Sequence, residues 1–487
     1  MDFASLSRSL GARRLSFSGE YVPSDGTAPE AGGASGFSSV SIDSRTVKPG
    51  ALFVALAGEK SDGHGFVEAA FKKGAAGAMV DSAKLEKFRL AELAKSMDRD
   101  LLAVDNTLLG LQQSARLYLE KFPRLVKVGI TGSSGKTTVK EIAAAIIGAE
   151  KNTVMNSGNL NSETGLPLSV FEVRAGHEVG IFEMGMNRRG EIAELAAVLK
   201  PNIALITNIG SAHIGIIGSK GAIAEEKKNI FSCFTGSETA LIPDGDEYSG
   251  FLARGVKGRV VFYGESSFKE LGGTRSLGLA GTEIRWNGDA VRFALPGRHN
   301  LADAMAALAI AREIPAGSGA VKRGLEGVKP LFGRSEILEG RVTLIRDCYN
   351  ANPESVEQAL DFCDSLDWPG RRIYVIGDML ELGNNSREAH ERVGRLLAAS
   401  KADMVFLYGK ETAAALNAAA GAPVFRHYTK MPELSGALDA RIRRGDLVLL
   451  KASRGCALEQ LTDTLLGAAG EDVPAGGAAA PDKGGLG

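Results

Sequence analysis

The sequence predicts an α/β protein of three domains, and three observations carry that expectation. The chain has 487 residues, more than a single hydrophobic core accommodates. Two long stretches alternate short apolar runs with helical segments, the pattern of parallel strands covered by helices. The stretch before them differs, with short strands grouped around one helical segment.

In chain order, residues 1–105 form a small α/β domain with strands in SSVSIDS, ALFVAL and AAGAMV and a helix in FVEAAFKKG. Residues 24–39 read as a loop, and the amphipathic segment 108–122 as a helix leading into the second domain, 106–313. There VKVGIT, VGIFEM, IALITN and TALIP read as buried parallel strands. TEIRWNGDAVRFAL places Asn287-Gly288 between two alternating runs, a hairpin signal, and a helix over 300–312 closes the domain. The third domain, 314–467, has strands in VTLIRD, RIYVIGD, DMVFLYG and LVLLKAS and helices near 353–363, 386–400, 410–419 and 456–466. It predicts a Rossmann-like, doubly wound sheet with ligands at the carboxyl ends of its strands. The Gly-, Ala- and Pro-rich tail 468–487 has no periodicity and is expected to be disordered.

Composition narrows the function. The formal charge is −1 with both signs mixed along the chain, which argues against a nucleic-acid partner. The four cysteines, Cys233, Cys348, Cys363 and Cys456, are scattered without a C-x-x-C pair, as in a reducing compartment. The N-terminus lacks a signal-peptide apolar run, and no run approaches the roughly 20 apolar residues of a membrane span, so a cytoplasmic location is expected.

VKVGITGSSGKTTVKEIAAAII reads as strand, glycine-rich loop and helix. Backbone N–H groups from Gly132 to Lys136 suit phosphate oxygens, and the helix N-terminus favours their charge. Thr131, Gly132, Ser133, Ser134, Gly135, Lys136, Thr137 and Thr138 are therefore the candidate nucleotide loop. Lys136 would reach the outer phosphates and the Thr137 hydroxyl a magnesium ion. Ile130 stands where the general P-loop pattern has its first glycine, so the form is T-G-x-x-G-K-T. The competing reading is a tight turn in which Ser133 caps the helix.

A phosphate loop serves kinases, switches and ligases alike. Several further segments decide between them: FEMGMNRRGEI, ITNIGSAHIGIIGS, KGAIAEEKKNIF, LPGRHNLADAMAALAIA, LFGRSEI, RDCYNANPES, GDMLELG and KASRG. On these, from about 41 to 465, the chain resembles the Mur ligase family, and within it the ligases that add D-alanyl-D-alanine. The diamino-acid signature D-N-P-R of the tripeptide-making relatives is absent.

The resemblance implies a set of roles. Glu183 would hold magnesium, and His213 a second ion, although a lone histidine is often structural. Where the family carries an acid two residues after that histidine, this chain has Gly215. Lys227 would carry a carbamate and ligate metal, with Lys228 one register away; by composition alone, 225–228 is a solvated helix face. Together Thr137, Glu183, His213 and Lys227 would be the metal set, and Lys136, Glu183, His213 and Lys227 the catalytic set. Asn300 would meet the nucleotide base; Asp303 replaces the usual second Asn and as a carboxylate only accepts hydrogen bonds. Arg334 and Asp347 would contact ATP.

On the acceptor side, Ser44 and Arg45 would meet uridine diphosphate, with the Asp62-Gly63-His64 turn near the same site or simply structural. Asn161 would face the sugar and peptide, next to Ser162 where the family has Asn. Tyr349, Asn350 and Asn352 would contact substrate, while the asparagines also suit caps of the helix after Pro353.

The activity implied is ATP- and magnesium-dependent joining of D-alanyl-D-alanine to UDP-N-acetylmuramoyl-tripeptide through an acyl phosphate, with two ions. The third domain is expected to close over the second, and the chain to act as a monomer without membrane insertion. A tripeptide-making ligase, a small-molecule kinase and a nucleotide-gated binding protein without turnover are the alternatives.

Overall fold

The computed structural model describes residues 2–15, 21–22, 36–58, 60–419 and 424–467. Most of the loop expected over 24–39 and all of the tail 468–487 lie outside the described residues. The chain divides into two compact units, Met1–Lys329 with Glu381–Asn384, and Pro330–Leu380 with Asn385–Gly487. Mixed α/β layers build both.

The first unit holds two large sheets. The N-terminal sheet runs in the order Tyr21–Val22, Arg13–Leu15, Asp100–Val104, Gly77–Asp81, Ala51–Val54, Ser39–Ser41, parallel except at its Arg13–Leu15 and Tyr21–Val22 end. Against the single helix expected here, Phe3–Leu10 and Leu90–Ser96 are also helical. Phe3 and Leu6 of the first helix share a core with Leu111, Ala115 and Leu119 of the helix Thr107–Leu119, which joins this sheet to the next.

The central sheet is wholly parallel, in the order Arg259–Tyr263, Thr239–Pro243, Ile203–Ile206, Val126–Thr131, Val179–Glu183, Thr153–Met155. Its inner strands are β-branched and buried on both faces, as a sheet covered on both sides requires. Register sets the functional edge. Ile130 pairs with Glu183, and Thr131 with Ile206, so the loop after Thr131, the Glu183 side chain and residues from Thr207 onward leave the sheet at one level. The helix Lys136–Gly148 buries Val139, Ile142, Ala143, Ile146 and Ile147 at helical spacing, which pins the loop ahead of it. The hairpin turns at Asn287-Gly288 with φ 50° and 87°, and a further strand, Leu271–Ser276, pairs with it.

The second unit is a six-stranded sheet ordered Glu336–Glu339, Thr343–Asp347, Leu447–Lys451, Arg372–Gly377, Met404–Tyr408, Val424–Tyr428. All neighbours are parallel except the edge strand Glu336–Glu339. The strand Val424–Tyr428 and the helix Met431–Asp439 were not anticipated from sequence. The helix expected over 456–466 is instead two 3₁₀ turns, Arg454–Cys456 and Leu458–Leu461, followed by the helix Thr462–Leu466. Leu458, Leu461 and Leu465 have helical spacing, but Ala457 takes a left-handed φ of 51°, which interrupts the helix.

Candidate active site

The phosphate loop leaves its strand at Gly132 and enters its helix at Gly135, with φ 153° and 78°. Both positions need glycine for contact as well: a Cβ would stand 1.8 Å from Thr207 Oγ1 at Gly132 and 2.1 Å from Asp303 Oδ1 at Gly135. No side chain caps the helix, so Ser133 does not have the capping role of the competing reading. Its hydroxyl exchanges hydrogen bonds with Gly210, donating to the carbonyl at 3.2 Å and accepting from the N–H at 2.8 Å. Asn208 Oδ1 accepts from the Ser134 N–H at 3.1 Å, and Thr207 Oγ1 donates to the Ser134 carbonyl. The loop is thus stitched to the segment following the next strand. Thr138 and Thr131 turn inward, and Thr131 Oγ1 is buried without a hydrogen-bond partner.

Five predicted residues meet at this loop. Thr137 Oγ1 donates to Glu183 Oε2 at 2.7 Å, and Asn161 Nδ2 donates to Glu183 Oε1 at 2.6 Å. Lys136 Nζ and Lys227 Nζ both donate to the Gly132 carbonyl, at 2.9 and 2.8 Å. Lys227 is 1% exposed; burial, and then the Lys136 ammonium, hold its amine well below the usual lysine range, against the pull of Glu226 and Glu183.

The structure also resolves the segment 225–228, which is not a solvated face throughout. Glu226 is buried and accepts from the N–H groups of Gly190 and Ile192 at 2.8 and 3.0 Å, capping the helix Glu191–Leu199. Lys228 instead donates to the carbonyls of Phe251 and Arg254. His213 starts the short helix Ile214–Ile217 in a left-handed conformation, φ 62°, three residues after Gly210.

Hard oxygen donors (the Thr137 hydroxyl and the Glu183 carboxylate) beside a phosphate loop fit magnesium, which keeps waters and phosphate oxygens among its ligands. Of the base-side residues, Asn300 is buried and donates to the Pro296 carbonyl at 2.7 Å, while Asp303 stands against Gly135. On the N-terminal sheet, Ser44 and Arg45 lie in the turn after Ser39–Ser41, where Arg45 forks onto Asp43 at 2.9 Å and remains exposed. His64 is buried, donating to Asp62 and accepting from the Asp81 N–H, which gives that turn a structural use.

The second unit carries its own cluster at the strand ends. Asp347 and Lys451 are register partners on adjacent parallel strands, and their side chains form an ion pair at 2.7 Å. Lys451 also donates to the Asn350 carbonyl, and Asp347 accepts from the Ser335 N–H. The Arg334 guanidinium lies over the Tyr349 ring at 4.1 Å. Asn352 forms a capping box with Ser355 ahead of Pro353, and Asn350 is exposed.

Comparison with known proteins agrees with this geometry. Models of the Mur ligase family, catalytic domain, the Mur ligase middle domain and the Mur ligase, glutamate ligase domain match residues 37–116, 130–311 and 333–454. A UDP-N-acetylmuramoyl-tripeptide--D-alanyl-D-alanine ligase of Treponema pallidum is 45% identical over 439 residues, covering 90% of this chain and 95% of that protein. The chain belongs to the Mur ligase family. Its Bacillus subtilis relative of the same description is 34% identical over 88% of this chain and 93% of that one. Among solved Mur ligases, MurF from Acinetobacter baumannii superposes with a TM-score of 0.81 at 26% identity, covering 95% and 97% of the two chains. MurF from Thermotoga maritima in complex with ADP gives 0.74 at 27% identity, covering 88% and 96%.

Sequence reasoning assigned no role to Lys140, Asn156 and Asn208 of the first unit, or to Lys451 of the second, which opens the KASRG segment. Asn208 carried a usable signal, since it follows a buried strand next to the loop strand just as Glu183 ends one. The other three act through partners distant in sequence.

Proposed function

We propose that this Mur ligase joins D-alanyl-D-alanine to UDP-N-acetylmuramoyl-tripeptide at the expense of ATP. The Treponema and Bacillus relatives carry that description over nearly their full lengths, which supports the substrate pair. The observation that carries the reading is the convergence of Lys136, Thr137, Glu183 and the buried Lys227 on one phosphate loop.

The chemistry needs activation, because a carboxylate is a poor electrophile and oxide a poor leaving group. One carboxylate oxygen of the tripeptide takes the terminal phosphoryl group of ATP, giving an acyl phosphate and ADP. The dipeptide amine then adds to the acyl carbon, the C–O bond to phosphate breaks with its electron pair, and the nitrogen gives up a proton to leave the amide. N–H groups of the loop receive phosphate oxygens at the helix N-terminus. Lys136, resting on the Gly132 carbonyl, turns to the transferred group. Magnesium, when bound, neutralises phosphate charge, with Thr137 and Glu183 as its protein ligands and His213 a ligand for a second ion.

Lys227 enters as a carbamate. The neutral form of its amine, which burial favours, adds to carbon dioxide and releases a proton, which converts the amine into an anion beside Glu183. Arg334, Asp347 and the exposed Asn350 serve the nucleotide and substrate from the second unit. Ser44 and Arg45 serve the uridine diphosphate, and Asn161 the sugar and peptide. The reaction belongs in the cytoplasm, and the four thiols are free, as a reducing compartment keeps them. Among the described residues no helix is long and apolar enough to cross a membrane.

The test is direct. The protein is incubated with ATP, magnesium, UDP-N-acetylmuramoyl-tripeptide and D-alanyl-D-alanine, with phosphate measured and the product weighed by mass spectrometry. Phosphate release that requires both acceptor and dipeptide, with the pentapeptide product, is the expected result. Release that ignores the dipeptide rejects the ligase reading.

A further inference from the structure

We infer that Asn156 is a positioning residue for both Glu183 and Asn161, held in place by Lys140; this rests on the proposed nucleotide–magnesium role of that site. Asn156 is fully buried, one residue past the strand Thr153–Met155. Its single amide group serves three backbone atoms. Oδ1 accepts from the Glu183 N–H at 2.9 Å, while Nδ2 donates to the Glu183 carbonyl at 3.1 Å and to the Leu160 carbonyl at 2.9 Å.

The ladder between these strands ends with Met155 opposite Ile181. Beyond that rung, the Asn156 side-chain amide takes both backbone groups of Glu183, which a parallel ladder would share between two residues of the neighbouring strand. This fixes the backbone of Glu183 where its carboxylate meets Thr137. The third bond fixes the loop that delivers Asn161, whose amide reaches the other carboxylate oxygen and whose carbonyl accepts from Gly185.

Lys140 supplies the anchor. It is fully buried, three residues after Thr137 on the same helix, and donates to the Asn156 carbonyl at 2.7 Å, with Glu141 3.2 Å away. Burying an ammonium is costly unless its hydrogen bonds are supplied, so the Asn156 carbonyl is held firmly. The helix bearing Thr137, the strand bearing Glu183 and the loop bearing Asn161 therefore meet at one asparagine. Magnesium demands near-octahedral geometry, so displacement of Glu183 by a fraction of an ångström is felt at the ion.

Asn156→Ala tests this, with thermal melting to establish that the variant is folded and calorimetry of ADP binding in EDTA and in excess magnesium chloride. The expected result is an ADP affinity in EDTA within about twofold of the parent, and a magnesium-dependent gain in affinity reduced by roughly 10- to 100-fold, the usual effect of losing an outer partner of a metal ligand. Asn156→Thr keeps one donor and one acceptor and is expected to recover part of the loss; it is read the same way should Asn156→Ala fail to fold. A merely structural asparagine lowers the melting temperature and leaves the magnesium dependence of the folded fraction unchanged. That outcome overturns the inference alone. A parent protein whose ADP affinity ignores magnesium overturns the inference together with the site reading beneath it.

Discussion

Lys227 and Lys136 donate to one carbonyl oxygen, that of Gly132, at 2.8 and 2.9 Å. Two ammonium ions on a single acceptor repel each other, and burial, then the Lys136 charge, hold the Lys227 amine well below the usual lysine range. An uncharged amine at this place is what carbamate formation requires. Lys227→Ala is therefore expected to lower kcat by about a hundredfold or more, as loss of a charge-stabilising group does. Added short carboxylic acids should restore part of the rate. Lys228→Ala, whose nitrogen donates to the carbonyls of Phe251 and Arg254 and lies over the Phe251 ring, away from the phosphate loop, should stay within about twofold. Equal losses in the two variants would place the modified lysine in doubt.

The same burial has a consequence for stability. Because the folded amine lies well below its unfolded value, the unfolded chain binds more protons between the two. Stability then rises with pH through that window and is lost as pH falls toward the folded pKa. In carbon-dioxide-free buffer, the parent protein should gain stability more steeply than Lys227→Met as pH rises toward the unfolded lysine value, by up to about 1.4 kcal/mol per pH unit. Parallel profiles of unfolding free energy against pH in the two proteins would show that the Lys227 pKa is not lowered on folding.

Much of this was legible before any coordinates. The strand-loop-helix around Gly132 was, because a β-branched run, close glycines and an amphipathic helix are local features. The Asn287-Gly288 hairpin was legible for the same reason. Glu183 was readable as a strand end, but its two hydrogen bonds were not, since Asn161 and Thr137 reach it from other elements. Lys227 is separated from Lys228 in the sequence only by the family resemblance, because helix-face burial depends on what the helix packs against. The roles of Asn156, Lys140 and Lys451 were not legible for a related reason: each finds its partner through sheet register or a helix crossing. The broken helix over 456–466 misled because leucine spacing says nothing about the φ of Ala457.

Register also dictates the Asp347–Lys451 pair, which is nearly closed to solvent at 15% and 4% side-chain exposure. Removing one member leaves the other charge buried without its partner. Lys451→Met is expected to cost the second unit about 3–5 kcal/mol, read from urea unfolding, and Asp347→Asn a similar amount. The paired change Asp347→Leu with Lys451→Met should recover much of the loss, since a buried ion pair contributes little over apolar residues of like volume. Additive losses in the double variant would mean that the two residues act independently.

Asn352 and Asn350 stand two residues apart in the same motif, yet their surroundings assign them different work. Asn352 is buried, accepts from the Ser355 N–H at 2.8 Å, and has its own N–H bonded to the Ser355 hydroxyl at 3.0 Å. Those bonds occupy its Oδ1 and its backbone N–H in the helix cap. Asn350 is exposed; its Oδ1 takes the Ala351 N–H and its carbonyl takes Lys451, which leaves the amide nitrogen toward solvent. Asn352→Asp retains an N-cap acceptor and should keep activity within about twofold, whereas Asn352→Ala should lose about 1 kcal/mol of stability with a rate that follows the folded fraction. Asn350→Ala should do the opposite, keeping its melting temperature while raising KM. If instead Asn352→Asp melts like the parent but loses most of its rate, the amide of Asn352 touches the reactants and its place is with Asn350.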